Sequence, residues 1–164
     1  MNGMNETEDI GKIKTIENIG NKSSKKSENK IHTKLMEVIQ NNHYMQMLGI
    51  EIMDLKKGYA KGRMKYCNEL KNPYGSLHGG SLYSLADVIS GTAACTGGRY
   101  ASTVSGNMNF IRPAMATKYV YCTAREVRQG KQLAVYDVVL TDDNEEVLEN
   151  GSFTFFLMEE EVCS

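Results

Sequence analysis

Apolar positions change their period several times along this chain. Ile31, Leu35, Val38 and Ile39 recur at helical spacing, and Asn41–Asn42 closes the run, which predicts a short amphipathic helix. "MLGIEIMDLKKGYAKGRMKY" half-alternates on both sides of Lys56–Lys57–Gly58 and predicts a hairpin. Asn72–Pro73 and Gly75 then mark a turn. After His78–Gly79–Gly80 the helical period returns, with Leu82, Leu85, Ala86, Ile89 and Ala93 on one face. The opposite face carries Gly80, Ser84, Asp87, Gly91 and Ala94, all small except Asp87, so this helix can be buried on both sides. Gly97–Gly98 ends it.

Strict alternation follows in "YASTVSGNMNFIRP". Thr103, Ser105, Asn107 and Asn109 fall on one face and Val104, Met108 and Phe110 on the other, until Pro113 stops the strand. Residues 118–158 predict three further strands, with turns at Gln129–Gly130–Lys131 and Asp142–Asp143–Asn144. There is no βαβ rhythm and no internal repeat. The order of helix, hairpin, long helix and four strands predicts an α+β fold, an antiparallel sheet wrapped around one central helix.

Composition adds boundaries to this picture. The 164 residues suit one domain, and 41% hydrophobic residues suffice for one core. Residues 1–30 are rich in Asn, Lys, Glu and Ser and hold no aromatic residue. Such a segment buries too little apolar surface to offset its ordering entropy, so a disordered tail is expected before a domain over 31–160. A docking arm is the alternative for the tail, though Lys and Glu are mixed in it rather than segregated. A net charge of −1 gives no field that would draw the chain to nucleic acid or membrane. The apolar runs fall far short of the ~20 residues of a membrane span, and no signal-peptide stretch is present, so a cytoplasmic protein is expected. Cys67, Cys95, Cys122 and Cys163 are widely spaced and form no CxxC pair, which predicts reduced thiols rather than zinc or a disulfide framework.

The chemistry concentrates in "NPYGSLHGGSLYSLADVISG", residues 72–91. A helix that opens on two glycines exposes backbone N–H groups at the positive end of its dipole. Glycine lets a ligand approach that backbone closely, and the place suits an oxygen that gains negative charge during attack on a carbonyl. Asp87 is the one acid between Glu69 and Glu126. A carboxylate on a buried helix face costs several kcal/mol unless something polar meets it, and Asn72, Ser105 and Asn107 are the candidate partners. A carboxylate beside an oxyanion site serves as nucleophile or general base in hydrolysis. Singly, each feature has a plainer explanation. His78–Gly79–Gly80 could be a tight turn, Asp87 a solvated helix residue, and Ser105 and Asn109 the polar face of a half-exposed strand.

Taken together the spacing is informative. An Asn, a Gly three residues later, His-Gly-Gly three beyond, and an acid nine residues after the His resemble the motif of the hotdog-fold acyl-CoA thioesterases, in particular their PaaI-type branch. Here these are Asn72, Gly75, His78–Gly79–Gly80 and Asp87, and "TVSGNMNFIRPA" resembles the strand that follows. The resemblance covers residues 35–158. It implies that the Gly79 N–H polarises a thioester carbonyl and that Asp87, reaching across a dimer interface, attacks it or activates water. It implies that Asn72 orients water or carbonyl, that Ser105 positions the water, and that His78 holds the turn. Gly80, Asn107, Arg112 and Arg128 are the candidate contacts for the substrate and its coenzyme A portion, although the charged cluster Arg125, Arg128 and Lys131 also fits a solvated hairpin. The implied assembly is a homodimer that forms the active site, within a homotetramer. Coenzyme A enters as part of the substrate, and no separate cofactor or metal is implied. Two other readings exist. One is a non-catalytic acyl-CoA-binding sensor, which would normally carry a helix-turn-helix segment. The other is a hotdog dehydratase, whose histidine patterns His32, His43 and His78 do not match.

Overall fold

The structure is a computed structural model that describes residues 26–164. Of the tail expected over residues 1–30, residues 1–25 lie outside the described residues, whereas 26–30 are helical and run on into the expected helix as α1, 26–40. A second, short helix, α2 (His43–Leu48), was not expected from the pattern. Asn42 starts it, its side-chain oxygen accepting from the N–H groups of Tyr44 (3.0 Å) and Met45 (3.1 Å). Gly49 ends it in a left-handed conformation (φ 65°).

Strands β1 (Ile50–Lys56) and β2 (Tyr59–Lys65) form the expected hairpin. The long helix α3 (Gly79–Cys95) follows, then β3 (Arg99–Phe110), β4 (Tyr119–Gln129), β5 (Leu133–Thr141) and β6 (Val147–Glu161). They make one antiparallel six-stranded sheet in the order β1-β2-β4-β5-β6-β3. β3 therefore crosses from the hairpin side to the far edge, where its one partner among the described residues is β6.

α3 lies against one face of the sheet as the hydrophobic period requires. Leu82, Leu85, Ala86, Ile89 and Ala93 are all buried, against Met64, Val120, Phe153 and Phe155 of the strands. Complete burial of side chains such as Leu85 and Ile89 stabilises by roughly 1.5–3 kcal/mol each. The helix approaches β2 closely at Gly62. A Cβ added there would sit 2.2 Å from Ile89 Cδ1 and 2.8 Å from the Glu51 carbonyl oxygen, so only glycine fits.

The unbroken alternation expected along β3 is corrected by the structure. Thr103 pairs with Phe155, but Ser105 pairs with Thr154, so one extra residue, Val104, is inserted as a bulge. Paired residues share a face, and Phe155 and Phe153 are buried toward α3 while Thr154 lies between them on the other face. Thr103 thus faces the helix, in company with Gly106 and Met108. Ser105, Asn107 and Asn109 face away from it. The bulge divides a polar set that the period-2 pattern had placed together.

Candidate active site

The loop before α3 is held by the turn residues that the sequence marked. Asn72 Oδ1 accepts from the N–H groups of Tyr74 (2.9 Å) and Ser76 (3.2 Å), and its amide donates to Ser76 Oγ (2.7 Å). Gly75 sits at φ 86°, a conformation that favours glycine. His78 is the N-cap of α3, its Nδ1 accepting from the Gly80 N–H at 2.9 Å. Its imidazole is thereby committed to holding the helix start. The Gly79 N–H is the first of the helix and has no intrahelical acceptor, so it points out as a donor at the positive end of a helix 17 residues long. A Cβ at Gly79 would lie 2.9 Å from Phe110 Cε1, so the glycine also keeps this approach open. Gly79 and Asn72 line one cavity of about 240 Å³, with Leu77, Phe110, Arg112 and Glu149 among its other walls.

Asp87 lies eight residues further along α3, about 12 Å up the helix axis. It is half-buried in a second cavity, of about 230 Å³, between α3, β3 and the two N-terminal helices. Leu35, Ile39 and Met45 are among the other residues that line it. The polar group that meets the carboxylate is Thr103, whose hydroxyl donates to Asp87 Oδ1 at 2.7 Å. This replaces the partners expected from the sequence. Ser105 and Asn107 are turned to the other face by the bulge, and Asn72 lines the other cavity and is engaged in its own turn. Thr103 was in view as a polar strand residue, but nothing in an alternating pattern announces a bulge. The one signal is Gly106, where an added Cβ would sit 2.3 Å from Tyr83 Oη, marking a close approach within the strand.

The remaining candidates separate by end of the helix. Gly80 is exposed beside His78 at the helix start. Arg112 lines the Gly79 cavity but is paired with Glu146 at 3.0 Å, both side chains about half exposed. Arg128 is exposed near the end of β4, one residue from Gln129, whose amide lies against Gly97 beyond the C-terminal end of α3. Asn107 lines an outer-face depression with Asn109 and Asn150. One chain therefore holds a free helix-start donor and a threonine-bound carboxylate on the same helix, opening into different cavities.

A long helix that is capped by His78, opens on Gly79–Gly80 and is wrapped by a six-stranded antiparallel sheet has the architecture of the hotdog fold. The comparisons agree. The profile of the thioesterase superfamily matches residues 74–149. Acyl-coenzyme A thioesterase PaaI of Escherichia coli is 31% identical over 109 residues, spanning 66% of this chain and 78% of that protein. Human acyl-coenzyme A thioesterase 13 is 35% identical over 103 residues, 61% of this chain and 74% of its own. The solved structure of the E. coli PaaI protein superposes with a TM-score of 0.77 at 26% identity, covering 81% of this chain and 96% of that one. The chain belongs to the thioesterase superfamily.

Proposed function

We propose that this thioesterase hydrolyses acyl-CoA thioesters, with the Gly79 N–H of one subunit and Asp87 of a second subunit acting on the same carbonyl. The observation that carries the reading is the separation just described: donor and carboxylate share a helix yet face different cavities. Two copies, arranged so that each α3 start meets the partner's α3 middle, complete two sites. The names of the relatives support acyl-CoA as the substrate class.

In the reaction the carbonyl oxygen sits on the Gly79 N–H, which stabilises the charge that develops there. Asp87 either takes a proton from water, which attacks the carbonyl carbon, or attacks it directly to form an acyl-aspartyl anhydride that water then opens. The C–O bond forms, the C–S bond breaks and coenzyme A leaves as a thiolate, so no strong general acid is needed. Thr103 holds Oδ1 and leaves Oδ2 to work. His78 caps the helix, and Asn72 shapes the wall of the carbonyl cavity. Binding without turnover, as in a sensor, is the alternative, and it predicts an inert wild type that still binds acyl-CoA.

Two crippled variants test the shared site. Proline is tolerated at the first helical position, and His78 already has the extended backbone that precedes proline (φ −66°, ψ 134°), so Gly79→Pro removes the donor without breaking the helix, while its ring also crowds Phe110 at the mouth of the carbonyl cavity. Gly79→Pro and Asp87→Ala should each be nearly inactive. Co-expressed, random pairing should restore about a quarter of wild-type activity, because each mixed dimer has one intact site. No recovery in verified mixed dimers would show that each chain works alone.

A further inference from the structure

The cavity beside Gly79 contains a group that the reaction does not use. Glu149, on β6, is 1% exposed and lines that cavity, and its Oε2 is buried with no hydrogen-bond partner among the described residues. Its strand neighbours are Phe110 on one side and the fully buried Leu140 on the other. The cation on the cavity wall, Arg112, is paired with Glu146 instead. A polar group buried among Leu77, Leu82 and Phe110 without a partner is costly, and an apolar residue of the same size would be expected there if the cavity only had to hold hydrocarbon. A cationic ligand is disfavoured because the positive end of α3 opens into the same space. A neutral hydroxyl fits both conditions. Burial holds the Glu149 carboxyl well above the usual range, at about 8, so at neutral pH it is protonated and can both donate and accept. The volume, about 240 Å³, is below the roughly 300–1,000 Å³ of drug-sized pockets and suits a single ring or a short chain.

Resting on the acyl-CoA reading above, we propose that Glu149 is a specificity-determining residue: from the wall of the Gly79 cavity it hydrogen-bonds a hydroxyl on the acyl group, so that hydroxylated short or single-ring acyl-CoAs are preferred over their plain analogues. A thioester whose carbonyl rests on the Gly79 N–H directs its acyl group into the cavity that Glu149 lines. A site built to bond a substrate hydroxyl discriminates against the analogue without it, because its own polar group is then left unpaired.

The test uses the full-length protein and two matched pairs, butanoyl-CoA with 3-hydroxybutanoyl-CoA and benzoyl-CoA with 4-hydroxybenzoyl-CoA, comparing kcat/KM. Wild type should favour the hydroxylated member of at least one pair by about tenfold or more. Glu149→Leu should abolish that preference by slowing the hydroxylated substrate while the plain one is unchanged or faster. Glu149→Gln, which still donates and accepts, should keep most of it. Glu149→Leu removes a buried unpaired group and Glu149→Gln keeps the size and neutrality of the protonated acid, so both should fold. An active wild type without preference, or a Glu149→Leu variant that slows both members equally, overturns the inference but leaves the thioesterase reading intact; the second result would place the carboxyl on the pantetheine arm. A folded wild type that hydrolyses none of the four overturns the thioesterase reading for this substrate class, and the inference falls with it.

Discussion

At the scale of single residues, the division of labour along α3 predicts sharply different costs. Removing the Asp87 carboxylate should lower kcat by ~10²-fold or more with folding intact, read by released thiol. Thr103→Val removes the hydrogen bond to that carboxylate while keeping the branched shape. A bond to a charged group contributes about 1.5–3 kcal/mol, so about a 10–100-fold loss in kcat is expected, with Thr103→Ser close to wild type. Ser105→Ala, on the far face of the sheet, should change kcat/KM less than twofold. A large loss at Ser105 beside an inert Thr103 would reverse the assignment. Glu149 carries a separate prediction. Its folded value of about 8 exceeds its ordinary 4.5, so the folded protein holds a proton that the unfolded chain releases between those values. Stability should therefore fall as pH rises through that window. The melting temperature of Glu149→Gln should match wild type near pH 4.5 and exceed it progressively toward pH 8.

At the scale of elements, the helix start was legible because its signals are local. His78–Gly79–Gly80, the turn at Asn72–Gly75 and the apolar stripe through Leu82, Leu85 and Ile89 all act within a few residues of chain. The hairpin at Lys56–Gly58 and the turns at 130 and 143 were legible for the same reason. The bulge at Val104 was not, because its cause lies across the sheet: Phe153 and Phe155 of β6 dictate which residues of β3 can face the helix. Glu149 was missed likewise. In "DDNEEVLENG" an acid after a polar turn reads as solvated, and only pairing with Phe110 and Leu140 reveals that its face is the inner one. α2 escaped notice because six residues are too few for a periodic signal, and its evidence is the Asn42 cap. Close helix–sheet approach gives a test at this scale. Gly62→Ala forces a methyl against both the Ile89 side chain and the Glu51 carbonyl, and should destabilise by about 1–3 kcal/mol in denaturant unfolding.

At the scale of the whole molecule, the strand order has a consequence for how the chain reaches its folded form. β3 carries Thr103, yet its single partner among the described residues is β6, the 15-residue strand Val147–Glu161. During synthesis α3 and β3 emerge early, but the edge that positions β3 does not exist until β6 has left the ribosome. Such long-range pairing slows folding and leaves the intermediate strand exposed meanwhile. A premature stop just before Val147 would remove no residue of the Asp87–Thr103 pair and still weaken it, because the strand that pairs with β3 would be missing.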